Sequence, residues 1–227
     1  MSAGQQPGVT RMLDDIRDEV RFTQPWTGRE ALDARVMDAL AKVPRDAFVP
    51  EELKPAAFSN GPLPIGHGQT ISQPFIVALM TDLLAPQPEH KVLEVGTGSG
   101  YQTAVLAGLC ASVYSIDLVP DLTEAAAERL AKMGYRNVRT TTRNGYQGWP
   151  EQAPFDGIIV TAAAPYVPDA LVEQLKPGGR LVIPVGLPYG RQELMLLTKH
   201  AQGETESRSM LEVAFVPLVD RPVTSSE

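Results

Sequence analysis

The sequence predicts an α/β fold in which helices cover both faces of a central, mostly parallel β-sheet. From residue 91 onward, short apolar segments alternate with segments of helical periodicity, which is the pattern of a parallel sheet. The first apolar segment, KVLEV, runs directly into a turn that holds three glycines. With 227 residues, 43% of them hydrophobic, the chain is long enough for one large domain with a buried core.

The N-terminal part is expected to add helices to this core. Residues 1–26 are predicted to be a polar leader, either loose or a short surface helix, because core-sized side chains are sparse there. Leu32, Val36 and Leu40 follow at intervals of four, which predicts an amphipathic helix within 27–43 that the next proline ends.

A long loop and a second helix are predicted before the sheet begins. The segment 48–66 is rich in proline, glycine and asparagine, and a loop of that length is often functional. One apolar face predicts a helix over 74–85. We therefore expect a single domain over 27–227, with helices and a substrate loop in 27–90 preceding the sheet.

The core of the domain is predicted over 91–220. Strands are expected at 91–95, 112–117, 137–142, 155–160, 180–185, 192–199 and 212–218, and helices at 101–109, 121–133 and 168–175. Ligands of such sheets bind beyond the carboxyl ends of the strands, near the point where the strand order reverses. The loops that follow each strand are therefore the first places to look for a site.

Composition excludes several classes of function. The formal net charge is −7 and no long run of lysine or arginine occurs, which argues against binding nucleic acid or an anionic membrane. The single cysteine, Cys110, allows no internal disulfide. No signal peptide or membrane span is recognisable. A cytoplasmic, monomeric protein is the expectation.

The glycine turn is the strongest local signal. It lacks the Lys-Ser or Lys-Thr pair of a phosphate loop and is one residue tighter than the dinucleotide fingerprint. Glu94, Gly96, Gly98 and Gly100 have the spacing E-x-G-x-G-x-G, and Asp117 ends the next predicted strand. This arrangement resembles motif I of the Rossmann-like class I S-adenosylmethionine-dependent methyltransferases. A carboxylate at the second strand end can accept hydrogen bonds from both ribose hydroxyls.

Further blocks make the resemblance more specific. In order along the chain they are VPRDAFVP (43–50), LPIGHGQTISQP (63–74), VLEVGTGSGYQTAVLA (92–107), FDGIIVTAAAP (155–165), LKPGGRLVIPVG (175–186) and FVPL (215–218). Together they resemble the protein-L-isoaspartate (D-aspartate) O-methyltransferases, over nearly the whole chain. The GQTIS block is far more specific than motif I, which many unrelated methyltransferases share.

The resemblance implies a repair reaction on damaged proteins and peptides. Such enzymes transfer a methyl group from S-adenosylmethionine to the free α-carboxylate of an L-isoaspartyl residue and release S-adenosylhomocysteine. A carboxylate with a pKa of about 4 is already an ionised nucleophile at neutral pH, so no general base is needed. His67, His90 and His200 are scattered along the chain, and no metal site is predicted.

The resemblance also assigns roles to residues. Ser72 is the predicted catalytic residue, which donates a hydrogen bond to the substrate carboxylate, and Val216 is expected in the substrate cleft. The alternative for Ser72 is that it only caps the helix after Pro74. The residues implied to bind the cofactor are Thr70, Ile71, Glu94, Gly96, Thr97, Gly98, Gly100, Asp117, Leu118, Asn144 and Gly145.

Two positions depart from the family pattern. Asn144 stands where the family usually carries aspartate near the adenine, and Asp117 stands where it commonly carries glutamate. Asn144 could also be an ordinary turn residue before Gly145. These departures leave open a cofactor-binding module with weak catalysis. A methyltransferase of this fold for a different carboxylate also stays open, because the substrate cleft is made from loops.

Overall fold

A computed structural model describes residues 7–188 and 190–221 of the chain. The helices and strands, in chain order, are α1 (Pro7–Thr27), α2 (Ala34–Lys42), β1 (Leu63–Gly66), β2 (Gln69–Ile71), α3 (Pro74–Leu84), β3 (Lys91–Val95), α4 (Tyr101–Ala107), β4 (Ser112–Asp117), α5 (Pro120–Lys132), β5 (Val138–Thr142), β6 (Phe155–Val160), α6 (Asp169–Glu173), β7 (Leu175–Gly186), β8 (Gln192–Lys199) and β9 (Thr205–Val213).

Seven strands form the central sheet, in the order β5-β4-β3-β6-β7-β8-β9. The strands from β5 to β7 are parallel, and β8 and β9 are antiparallel to their neighbours. The chain proceeds from β3 outward to β5 and then returns to the other side of β3 as β6. The strand order thus reverses between β3 and β6, where the loops that follow the strands separate and leave a crevice. The predicted α/β fold with a mostly parallel sheet is confirmed.

Apolar side chains on both faces of the sheet explain why its central strands are buried. Val92 and Ile159 belong to a core cluster shared with residues of α1 to α4. Their neighbours Leu93 and Ile158 belong to a second cluster on the other face, together with Leu171 of α6. Successive residues of a strand point to opposite faces, so a strand that is apolar throughout needs cover on both sides.

The N-terminal segment 1–26, predicted to be loose or a short surface helix, contains a long helix in its described part. Residues 7–27 form α1, whose buried face contacts α2, α3 and β9. The buried residues of α1 are Val9, Met12, Leu13, Ile16, Val20, Thr23 and Thr27. They recur every three or four positions among charged neighbours, which is the pattern of a helix with one core-facing stripe. Residues 1–6 lie outside the described part of the chain.

Among the described residues, no helix combines the length and apolar character that crossing a membrane requires.

The predicted helix over 27–43 begins later than expected. Asp33 precedes α2, and its Oδ1 accepts a hydrogen bond from the Arg35 backbone N–H at 2.8 Å, which caps the helix. The buried carboxylate of Asp82 on α3 accepts from the Asp33 N–H at 2.7 Å and pairs with Arg29 at 3.1 Å. The connection between α1 and α2 is therefore fixed to α3 in a non-helical conformation.

The long predicted loop before α3 contains regular structure. Two 3-10 turns, Arg45–Phe48 and Glu51–Ala56, are followed by an antiparallel hairpin of β1 and β2. Gly66, His67 and Gly68 form the hairpin turn with φ values of 90°, 53° and 68°. Two glycines in this turn reduce the steric cost of its left-handed backbone.

Two strands near the C-terminus differ from the prediction. β7 begins at Leu175, before the predicted 180–185, because Leu175 already pairs with β6. The predicted strand 212–218 is wrong: β9 ends at Val213 and runs back along β8 from a turn in which the His200 N–H donates to the Glu204 carbonyl at 2.7 Å. Much of β9 is polar and exposed at the sheet edge, so it lacks the apolar run that strand prediction relies on.

Replacing Ile16 tests whether α1 is part of the folded core. Ile16 is fully buried, so Ile16→Ala should lower the free energy of unfolding by about 2–5 kcal/mol. Arg17→Ala, on the exposed face of the same helix, should change it by less than about 0.5 kcal/mol. Urea unfolding measures both values. Equal, small effects of the two substitutions would show that α1 does not contribute to the stability of the core.

Candidate active site

A cavity opens beyond the carboxyl ends of β3, β4 and β6, next to the point between β3 and β6 where the strand order reverses. Its lining consists of 69–72, Val77, 96–99, Tyr101, Gln102, Asp117, Thr161, Ala162 and Val216. We call it the switch-point cavity. The structure brings together there eight of the residues singled out from the sequence: Thr70, Ile71, Ser72, Gly96, Thr97, Gly98, Asp117 and Val216.

The glycine loop after β3 is held by contacts that exclude a side chain. Gly96 has a φ of 101°, and its N–H donates to the Ile116 carbonyl at 2.7 Å. A Cβ on Gly96 would lie 2.2 Å from the Thr161 Oγ1, which itself donates to the Gly96 carbonyl at 2.7 Å. The close approach of Thr161 therefore requires glycine at position 96, and both residues line the cavity.

Asp117 fixes the other side of the same loop. One of its carboxylate oxygens accepts from the Gly98 N–H at 2.8 Å, and the other accepts from the Val119 N–H at 3.0 Å. Each carboxylate oxygen has a second lone pair, so Asp117 retains two acceptor sites for a ligand. The shorter aspartate side chain at the end of β4 is thus suited both to holding the loop and to accepting from a diol.

Glu94 is close to the loop but does not line the cavity. Its Oε2 accepts from the Thr103 hydroxyl at 2.5 Å and from the Ser115 hydroxyl at 2.6 Å, and the residue is fully buried. Its Oε1 has no hydrogen-bond partner among the described residues. Burial raises the pKa of Glu94 to about 8, although both hydroxyls act in the opposite direction.

Ser72 reaches the cavity because a buried arginine holds its backbone. Arg45 is 0% exposed and donates to the Ser72 carbonyl at 2.8 Å and to the Ala57 carbonyl at 2.8 Å. Its guanidinium carbon lies 4.8 Å from the centre of the Tyr101 ring. Burial lowers the pKa of this guanidinium. Arg45 thereby ties the substrate loop to the start of α4.

Ser72 does not cap the helix α3, which was the alternative to a catalytic role. The residue that precedes α3 is Gln73, and its side chain makes no capping hydrogen bond. The Phe75 N–H in the first turn instead donates to the Asn60 Oδ1 at 3.2 Å. Within the described part of the chain, the Ser72 hydroxyl has no hydrogen-bond partner and lies at the cavity wall.

The remaining predicted cofactor residues lie outside the lining of the cavity. Gly100 precedes α4 with a φ of 89° and packs against α5, so it serves the fold. Asn144 acts as a turn residue, because its Oδ1 accepts from the Tyr146 N–H at 2.9 Å. A Cβ on Gly145 would lie 2.6 Å from the Val95 side chain, so a larger residue would not fit at this position. Leu118 is half-buried in the loop after β4.

The C-terminal segment closes the cavity on the side of β6. The Ala163 N–H donates to the Val216 carbonyl at 2.8 Å, and the Leu218 N–H donates to the Ala163 carbonyl at 2.7 Å. Gln192 exchanges hydrogen bonds with the backbone of Phe215. Val216 is thus held beside the loop after β6, although this segment is not the strand that was predicted.

Sequence reasoning missed several residues of the cavity wall. These are chiefly Gln69, Tyr101, Gln102 and Thr161. Thr161 directly follows β6, so the rule that ligands bind at strand ends could have identified it. Nothing in the sequence marks Tyr101, because its position depends on Arg45. In 7–188 and 190–221, no group of three or more His, Cys, Asp or Glu residues could hold a metal ion.

The sheet order and the glycine loop together define a class I methyltransferase. The model of the protein-L-isoaspartate(D-aspartate) O-methyltransferase family matches residues 26–223. The chain belongs to this family.

Individual relatives agree with that membership. Protein-L-isoaspartate O-methyltransferase 2 of Syntrophobacter fumaroxidans is 57% identical, over 92% of this chain and 84% of the relative. The corresponding enzyme of Myxococcus xanthus is 51% identical, over 85% of this chain and 92% of its own. A crystal structure from Plasmodium falciparum, described as a complex of such an enzyme with S-adenosyl-L-homocysteine, has a TM-score of 0.76 and 26% identity, over 93% of this chain and 98% of that one.

The substitution Glu94→Gln tests whether the pKa of the buried Glu94 carboxyl is raised. Because the pKa of Glu94 in the fold is about 8 and its reference value is 4.5, the neutral form favours folding. That contribution is complete below pH 4.5 and is lost as the pH rises through 8. The melting temperature of the wild type should therefore fall relative to that of Glu94→Gln between these values.

An exposed carboxylate on α5 provides the control. Glu124→Gln should follow the wild type across the pH range, since Glu124 is exposed. A difference between wild type and Glu94→Gln that stays constant with pH would contradict the assignment of a raised pKa to Glu94.

Proposed function

We propose that this protein transfers a methyl group from S-adenosylmethionine to the free α-carboxylate of L-isoaspartyl residues in damaged proteins and peptides. The observation that carries the proposal is that one cavity holds the glycine loop, Asp117 and the unbonded hydroxyl of Ser72. Membership of the family supports the same reaction.

The residues of the switch-point cavity fit the cofactor. Asp117 has two acceptor sites left for ribose hydroxyls, and Gly96 lines the same cavity, on the side proposed for the methionine end. Leu118 and Asn144 are proposed to lie on the adenine side, with Asn144 contributing through the turn that it forms. When bound, S-adenosylmethionine supplies an electrophilic methyl group on a sulfonium and leaves as S-adenosylhomocysteine.

The protein contributes positioning and exclusion of water. Ser72 donates a hydrogen bond to the substrate carboxylate and fixes its direction, while Arg45 holds the backbone of Ser72. Transfer forms a bond between a carboxylate oxygen and the methyl carbon and breaks the bond between that carbon and sulfur. No proton is removed, because the carboxylate is already ionised at neutral pH. Placing the two reacting groups in line is the main source of acceleration.

Glu94 is linked to the glycine loop through hydroxyl groups, and Gly100 packs against α5 at the end of that loop. Glu94 binds Ser115, whose hydroxyl lies 2.6 Å from that of Thr97 in the loop. We assign both residues to shaping the loop, with Thr70 and Ile71 of β2 contacting the cofactor from the hairpin side. We further propose that the enzyme acts as a monomer in the cytoplasm, on proteins rather than on nucleic acids or membranes.

The first experiment is methyl transfer from labelled S-adenosylmethionine to two peptides. They share one sequence, but one contains L-isoaspartate and the other L-aspartate at the same position. The proposal requires methylation of the isoaspartyl peptide alone. If the cofactor binds and neither peptide is methylated, the substrate is a different carboxylate or the protein is only a binding module.

Ser72→Ala tests the role of the hydroxyl. A hydrogen bond to a charged group is worth about 1.5–3 kcal/mol, so kcat for the isoaspartyl peptide should fall about 10- to 100-fold. Cofactor affinity and melting temperature should change little, because the hydroxyl bonds to no described residue. Ser59→Ala, an exposed position in the preceding loop, is the matched control. A loss of stability with normal turnover would rule out the catalytic role.

A further inference from the structure

The switch-point cavity continues into a groove on the surface of the protein. A cavity of about 580 Å³ shares Thr70, Ser72, Thr161 and Val216 with the switch-point cavity. A second cavity, of about 560 Å³, adjoins the first between α1 and β9. We call these two cavities together the outer groove. Each has the volume of a typical ligand site, and the first opens directly beside Ser72.

One wall of the outer groove comes from α1. Phe22 is 71% exposed and Trp26 is 56% exposed, one helical turn apart, with ring centroids separated by 6.0 Å. Phe22 lines both cavities of the groove and Trp26 lines the outer one. The two rings therefore form an exposed aromatic surface along the groove.

The charges around the groove are mostly negative. Glu19, Glu193 and Glu212 contribute carboxylates to its lining, and Arg191 contributes the one guanidinium among the described lining residues. Arg191 already pairs with Glu193 at 3.2 Å and with Glu212 at 3.5 Å. The lining thus holds more carboxylates than guanidinium groups, which disfavours an acidic segment, whereas an uncharged apolar segment would meet two exposed aromatic rings.

We propose that the outer groove binds the substrate chain next to the isoaspartyl residue, and that Phe22 and Trp26 hold an aromatic or large aliphatic side chain of that chain. This inference rests on the proposed function. The basis of the inference is that the switch-point cavity and the outer groove are continuous at Ser72. A peptide whose carboxylate lies at Ser72 therefore extends into the groove, where each extended residue advances about 3.3 Å. We expect peptides without such a side chain to be methylated as well, but with a higher KM, because the reacting group remains the isoaspartyl carboxylate.

The test uses isoaspartyl peptides with a glycine- and serine-rich background. One phenylalanine, or one glutamate, is placed at successive positions on either side of the isoaspartyl residue. At the position that reaches α1, phenylalanine should lower KM roughly three- to tenfold, which corresponds to partial burial of one aromatic side chain. Glutamate at that position should raise KM. The value of kcat should stay the same.

The double substitution Phe22→Ala/Trp26→Ala should remove the advantage of phenylalanine and leave the background peptide unaffected. Leu187→Ala is the matched control, because Leu187 is 65% exposed and lies outside the lining of the groove. Equal KM values for all peptides, or an equal change for every peptide in the double variant, would overturn the inference. So would a dimer in light scattering that the double substitution dissociates, since a second copy would then occupy the rings.

The two proposals can fail separately. If wild-type protein methylates none of the isoaspartyl peptides, the proposed function fails and the groove has no such substrate. If it methylates them all with the same KM, the proposed function stands and only the role of Phe22 and Trp26 is lost.

Discussion

The site depends on a loop that requires glycine at position 96. Gly96 faces the Thr161 hydroxyl so closely that any Cβ would overlap it, and Asp117 holds the Gly98 N–H from the other side. These contacts exist because β3, β4 and β6 are neighbouring parallel strands whose carboxyl ends meet at one edge. The order of the strands therefore produces the geometry of the site, and the glycines make that geometry sterically possible.

A second constraint connects this loop to the part of the chain that precedes the sheet. Arg45 is buried without a described carboxylate partner, and backbone carbonyls, including that of Ser72, satisfy its guanidinium in part. A charge removed from water in this way is costly unless its hydrogen bonds are made. Any movement of Ser72 away from the cavity would break one of them. The hydroxyl of Ser72, which we propose is catalytic, is thus positioned through its main chain, and its side chain stays unbonded within the described residues.

The sequence predicted β3, β4, β6 and β8 at the expected residues, because burial on the sheet requires apolar runs, whereas β7 begins earlier than predicted. It failed for α1, whose apolar residues are separated by charged ones, and for β9, where pairing with β8 outweighs polar composition. Motifs indicated Ser72 and Asp117 as candidates, and both line the switch-point cavity. The burial of Glu94 was not predicted, because it depends on the neighbouring strand β4, where Ser115 lies. The turn at Asn144 is a local contact, and the Asn-Gly pair had already indicated it as an alternative.

The exposed edge formed by β9 has a consequence for a protein that handles damaged chains. Unfolded polypeptides tend to add as an extra strand wherever a sheet leaves its backbone groups unpaired, and this is a common beginning of aggregation. Here the outermost strand carries Glu206 and Arg208 in its exposed stretch, and charged side chains discourage such addition. An unfolded substrate chain that contacts this edge is therefore less able to pair with it as an additional strand.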